Sequence, residues 1–212
     1  RIATRRARLT ERMRMRRAQL AKDAVATDRI SPEFLSHAIG EAVGPDAVIF
    51  NEYPLRGDHC GREHPNTYFG LSPAGGLGWG LGAALGAKLA APDKFIVATL
   101  GDGAYMFANP TAGHWVAGAN KLPILTIIFN NSRYGAVRRS TLAMFKDGAA
   151  GENDGRFLAD LDPAPAYDIL AGAQGAYAER VERPADLPDA LTRAKEAVLN
   201  GRQALLNIIT PY

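Results

Sequence analysis

The sequence predicts an α/β fold, a parallel sheet with helices on both faces. Three observations carry that reading. Short continuous apolar runs rich in β-branched residues recur along the chain, as in AVIF, FIVATL, ILTIIF and ALLNII. Runs of that kind suit strands buried on both faces rather than alternating half-buried ones. Stretches of helical length separate them, and strands alternating with helices imply parallel pairing. Two of the runs also end in small or oxygen-bearing residues, Gly101-Asp102-Gly103 and Asn130-Asn131.

Taken in order, residues 1–30 are basic, with Leu, Met and Ala at near-helical spacing. The stretch RISPEFLSHAIGEAVG reads as a helix with Ser31 placed to cap it and Pro32 at its first position. Strands follow at 47–50, 95–100, 124–129, 176–181 (the weakest) and 204–209. Helices are expected over 75–91, 109–120, 136–145, 164–173 and 186–199. The polar, Gly- and Pro-rich stretch GAAGENDGRFLADLDPAPA reads as a surface excursion.

The chain has 212 residues, enough for a full core, and its 47% hydrophobic content excludes a disordered or fibrous class. Its net charge of +3 is unevenly placed. Ten of the 25 basic residues lie in residues 1–29 against three acidic ones, so the remainder holds 15 basic and 19 acidic groups, about −4. No aromatics interleave the arginines, so the segment reads as a solvated helix or linker rather than a nucleic-acid surface. The Gly- and Ala-rich run ahead of Pro92 is interrupted by Lys88, which argues against a membrane span. A single cysteine, Cys60, allows no internal disulfide and suits a cytoplasmic setting.

In open α/β sheets ligands bind beyond the carboxyl ends of the strands. Asp102 and Asn131 would offer a carboxylate and an amide oxygen there, both hard donors suited to Mg²⁺. Two protein ligands are too few for a metal cage, and a diphosphate would most simply complete one. Gly101 and Gly103 would let the backbone approach it. Each residue has a plainer alternative: Asp102 as a helix cap, Asn131 as a turn residue, Leu77 as a core leucine, Tyr134 as packing.

Two motifs, SPAGGLGWGLGAALGAKLAAPDKFIVATLGDG and LPILTIIFNNSRYGAVR, give the chain a specific resemblance. It resembles the C-terminal, diphosphate-binding domain of the thiamine diphosphate enzymes related to acetolactate synthase and benzoylformate decarboxylase, over residues 31–212. The resemblance implies thiamine diphosphate and Mg²⁺ as cofactors. Asp102, the Asn131 side chain and the backbone oxygen of Arg133 would ligate the metal. Gly101, Gly103, Ala104, Tyr134 and Gly135 would line the diphosphate, Leu77 would wedge beneath the cofactor, and the Gly75 carbonyl would face its 4′-amino group. The implied activity is decarboxylation of a 2-oxo acid, or carboligation, with the cofactor as electron sink. Alternatives are an oxalyl-CoA decarboxylase-like lyase, a sulfoacetaldehyde acetyltransferase-like transferase, or an idle paralogue. The glutamate that activates the cofactor belongs, in this family, to a pyrimidine-binding domain from an N-terminal part or another subunit. A homodimer or homotetramer is therefore expected, with residues 1–30 joining a preceding domain. Pro54 and Leu55 depart from the polar residues relatives often carry, and the 29-position gap from Asp102 to Asn131 is slightly long.

His114 reads as structural or catalytic, on the helix after Gly-Asp-Gly. His59, Cys60 and His64 lack the ligand spacing of a zinc site, and their loop is expected near the cofactor edge.

Overall fold

The computed structural model describes residues 1–70, 74–152 and 159–211. Six strands are described: β1 (Val48–Glu52), β2 (Tyr68–Phe69), β3 (Ile96–Gly101), β4 (Leu125–Asn130), β5 (Tyr177–Val181) and β6 (Ala204–Ile209). They form one sheet in the order β2-β1-β3-β4-β6-β5, and every pairing is parallel. Ten α-helices are described: α1 (Ile2–Asp23), α2 (Pro32–Val43), α3 (Gly57–Cys60), α4 (Trp79–Ala90), α5 (Asp102–Phe107), α6 (Pro110–Ala119), α7 (Gly135–Met144), α8 (Ala149–Glu152), α9 (Tyr167–Ala173) and α10 (Leu187–Leu199).

Consecutive residues of a strand point to opposite faces, and the buried strands use this to build two cores. Val97, Ile127 and Leu206 join Leu35 and Ile39 of α2 and Leu191 and Val198 of α10. Their neighbours Ala98, Ile128 and Leu205 join Leu81 and Leu85 of α4, Ala117 of α6 and Ala171 of α9. Helices therefore cover both faces, as the apolar runs predict.

Ser31 caps α2 as expected: its Oγ accepts from the Phe34 N–H at 3.1 Å, with Pro32 in the first turn. The basic N-terminal segment forms the single helix α1, which has no buried residue. Arg16 pairs with Asp58, and Arg17 pairs with Glu63 at 2.7 Å. Among the described residues no helix is long and apolar enough to cross a membrane.

Two local expectations need correction, and one strand lies where none is expected. The two-residue strand β2 was not predicted, because so short a stretch carries no periodicity. The helix expected at 75–91 begins only at Trp79, after a turn with Gly75 at φ +67° and Gly78 at φ +93°. The polar excursion is also not wholly at the surface. Ala159 is buried, the Tyr134 N–H donates to its carbonyl at 2.7 Å, and the Leu161 N–H donates to the Ser132 carbonyl at 2.7 Å. Residues 153–158 of that stretch, and Ser72 and Pro73 of the glycine motif, lie outside the described residues.

Candidate functional site

The chain order reverses beside β1, whose neighbours are β2 on one side and β3 on the other. Such a switch point opens a crevice at the carboxyl ends of the strands. Glu52 ends β1, Gly101 ends β3 and Asn130 ends β4, with Glu52 in register with Leu100 and Gly101 with Phe129. The sequence thus delivers its polar strand ends to one edge.

Asp102 is the first residue of α5 and only 2% exposed. Its Oδ1 accepts from the Gly103 N–H at 2.9 Å and its Oδ2 from the Arg133 N–H at 3.0 Å. The Asn131 Oδ1 accepts from the same Arg133 N–H at 3.1 Å. The two side-chain oxygens therefore converge on one donor. Burial pushes the Asp102 carboxyl up to about 6, against the lowering effect of backbone N–H groups from Gly103, Arg133 and Ser132. A buried carboxylate raised in this way is suited to a cation.

The adjoining loop is fixed by a buried polar chain. The Asn130 Oδ1 accepts from the Ser132 N–H at 3.0 Å, which holds Ser132 at φ +57°. The Asn130 Nδ2 donates to the Asn207 Oδ1 at 3.0 Å, and the Asn207 Nδ2 donates to the Asp168 Oδ1 at 3.0 Å. The two adjacent asparagines thus divide their work. Asn130 is buried and ties the loop to β6 and α9, while Asn131 stands beside Asp102. On the other side of the loop, Arg133 pairs with Asp160 at 2.7 Å.

Tyr134 lays its ring on Gly103, where an added Cβ would fall 2.4 Å from the ring, and meets Phe107 edge-on at 6.0 Å. Gly135 is buried and opens α7. Gly101 precedes α5 in extended conformation, and the Ala104 side chain packs into the second core. The helix expected over 109–120 is α6, and a separate short helix, α5, stands before it directly after Gly101. α5 has six residues and breaks at Asn109 (φ +50°) before α6 begins, so it can lend only a small dipole.

Gly75 and Leu77 lie on the turn ahead of α4. Leu77 is half-buried against the second core. The turn reaches this edge because Gly78 abuts the end of α5: a Cβ there would lie 2.7 Å from the Phe107 carbonyl oxygen. Glu52, which the sequence reading passed over, is fully buried and accepts from the Gly78 N–H at 2.5 Å and the Gly80 N–H at 2.7 Å. Burial raises its pKa, and those two backbone bonds lower it. A glutamate closing an apolar strand run was the signal available in the sequence. Tyr167 was also missed. It is fully buried, its hydroxyl has no hydrogen-bond partner among the described residues, and burial together with the nearby Asp102 and Tyr134 pushes its phenol up.

His114 is structural. It is 2% exposed, its Nδ1 contacts the Gln203 Oε1 at 2.8 Å, and its Nε2 contacts the Tyr105 hydroxyl at 2.8 Å. The Gln203 Nε2 donates to the carbonyls of His114 and Gln174, so its Oε1 must accept. His114 therefore carries its proton on Nδ1, and burial lowers its pKa. Cys60 is buried with its thiol pushed up to about 11, which is no nucleophile, and His64 contacts Asp46 at 3.0 Å on the surface. Pro54 and Leu55 follow β1; the Leu55 backbone is fixed by Asn51, donating to its Oδ1 at 3.1 Å.

The chain is similar over most of its length to known proteins. A 2-hydroxyacyl-CoA lyase of Oryza sativa subsp. japonica is 32% identical over 206 residues, covering 92% of this chain and 33% of that protein. An acetolactate synthase of Mycobacterium avium is 26% identical over 184 residues, covering 85% of this chain and 28% of that protein. The thiamine diphosphate-dependent 4-hydroxybenzoylformate decarboxylase of Rhodococcus jostii RHA1 superposes with a TM-score of 0.71 at 26% identity, over 88% of this chain and 33% of that one. The chain thus spans about a third of the length of these relatives. Residues 56–208 match the family model described as thiamine pyrophosphate enzyme, C-terminal TPP binding domain, and the chain belongs to that family.

Proposed function

We propose that the chain supplies the diphosphate- and Mg²⁺-holding part of a thiamine diphosphate-dependent 2-oxo acid decarboxylase or carboligase. The observation that carries this reading is the convergence of the Asp102 Oδ2 and the Asn131 Oδ1 on the Arg133 N–H. The donor set fits: one buried carboxylate, one amide oxygen and the Arg133 backbone carbonyl are hard ligands, and phosphate oxygens and water would complete an octahedron. Gly101, Gly103, Ala104, Tyr134 and Gly135 would line the diphosphate, and Gly75 and Leu77 would face the aminopyrimidine side.

When bound, thiamine diphosphate supplies the electron sink for breaking a bond next to a carbonyl. The chain's own residues bind and orient. Asp102 and Asn131 hold the metal, the polar chain through Asn130 and Asn207 fixes the loop beneath it, and Tyr134 on Gly103 shields that floor from water. The activating glutamate, the acceptor pocket and a further subunit belong to parts that residues 31–212 do not supply. Residues 1–30 would join this domain to a preceding one, in a cytoplasmic homo-oligomer. An acyl-CoA lyase is the second reading, favoured by the 32% identity to the Oryza protein.

Calorimetric titration of thiamine diphosphate into the full-length protein, with Mg²⁺ and with EDTA, tests the proposal. Saturable binding that requires Mg²⁺ and is lost in Asp102→Ala is expected. A folded protein that binds nothing under either condition refutes the enzyme reading and favours an idle paralogue.

A further inference from the structure

Glu52 presents a problem that the proposed site does not resolve. A carboxylate with no exposed surface ends a buried strand, and among the described residues no cationic side chain pairs with it. Unpaired buried charge is costly, and such a group persists where hydrogen bonds to it fix something of value. Here each oxygen takes its own donor: Oε1 accepts from the Gly78 N–H at 2.5 Å and Oε2 from the Gly80 N–H at 2.7 Å. The glycines are matched to it. A Cβ on Gly80 would sit 2.9 Å from Oε2, and Gly78 combines φ +93° with a Cβ site 2.7 Å from the Phe107 carbonyl oxygen. Both N–H groups therefore face inward, onto β1, and are not available to a phosphate.

The consequence lies just upstream. Because Gly78 and Gly80 are fastened inward, the preceding turn is turned outward: Gly75 and Gly76 are exposed and Leu77 is half-buried. The same carboxylate stands at the N-terminus of α4, a 12-residue helix whose dipole favours a negative charge at that end. The geometry points to Glu52 as a positioning residue that sets the height of the Gly75–Leu77 turn against the Asp102–Asn131 pair, and so the fit of the aminopyrimidine half of the cofactor. This rests on the thiamine diphosphate reading above.

The test separates the two halves of the ligand in the full-length protein. Glu52→Gln keeps the shape and one acceptor but turns an NH₂ onto a backbone N–H. It should weaken thiamine diphosphate binding about tenfold in the presence of Mg²⁺, while Mg²⁺–pyrophosphate binding stays within about twofold, because Asp102 and Asn131 are untouched. In the cofactor-free protein, amide hydrogen exchange over residues 74–80 should rise about tenfold in the variant. Equal losses for both ligands, or no loss for either, overturn the positioning role. Should Glu52→Gln fail to fold, exchange in the unmodified protein decides. Gly78 and Gly80 amides that exchange as fast as those of open loops overturn the proposal, and strongly protected ones support it. Failure of the unmodified protein to bind thiamine diphosphate would overturn the functional reading itself, and the cofactor role of Glu52 with it. Binding that is indifferent to Glu52→Gln overturns only the inference made here.

Discussion

The Asp102 carboxyl, raised to about 6 by burial, is held by backbone N–H groups of Gly103 and Arg133. A carboxyl whose folded pKa lies above its ordinary value of 3.8 binds more protons folded than unfolded. Without metal, its contribution to stability therefore grows as pH falls from about 7 through 6 toward 4, by up to about 3 kcal/mol for a shift of about two units. His114 works the other way, because its pKa is lowered and acid favours its unfolded form. Asp102→Asn isolates the carboxyl. It removes the buried charge but also one acceptor, so we expect the metal-free protein to gain roughly 1–2 kcal/mol at pH 7.5, and less near pH 5, in urea unfolding. The same variant should lose Mg²⁺-dependent cofactor binding. In the unsubstituted protein, protons should compete with Mg²⁺ below about pH 6, seen as weaker binding by calorimetry at pH 5 than at pH 7.5. Asp102 and Asn131 were legible in the sequence because each is an oxygen donor set directly after a buried strand. The buried, unpartnered hydroxyl of Tyr167 was not, since only the packing of α9 produces it.

Among the elements, the β4 loop depends on more than its own residues. Its geometry runs from Ser132 through Asn130 to Asn207 on β6 and Asp168 on α9. Asn207→Leu keeps the branched side-chain shape but leaves the Asn130 amide and the Asp168 oxygen without that partner. The expected loss is about 1–3 kcal/mol in urea unfolding, with weakened Mg²⁺-dependent cofactor binding although no proposed ligand has changed. β1, β3, β4 and β6 were legible because burial on both faces makes them largely continuous apolar runs, whereas β5, a half-exposed edge strand carrying Glu179 and Arg180, gave the weakest signal. The polar chain was not legible. Asn207 sits within ALLNII and reads as an interruption until β4 and β6 pair with Ile128 in register with Asn207. The return of residues 159–161 to pin the loop was likewise hidden by a polar, Pro-rich composition that signals surface.

For the molecule as a whole, the proposed metal pair belongs to neither β3 nor β4 alone. Asp102 follows one and Asn131 the other, and the Arg133 N–H that both touch falls into place only when the strands are in register. Metal and cofactor bound there as proposed would therefore act on the native state as a clasp across the centre of the sheet. Ile128→Ala, a fully buried lesion on β4, should cost about 2–5 kcal/mol. Saturating thiamine diphosphate and Mg²⁺, at about 100 times the dissociation constant, should restore about 2.7 kcal/mol of it, measured as a concentration-dependent rise in Tm. A comparable truncation on β5, at the sheet edge, gains the same mass-action increment but retains its site without help. Some defects buried in this domain would then be conditional on supply: damaging when thiamine diphosphate is scarce and largely masked when it is plentiful.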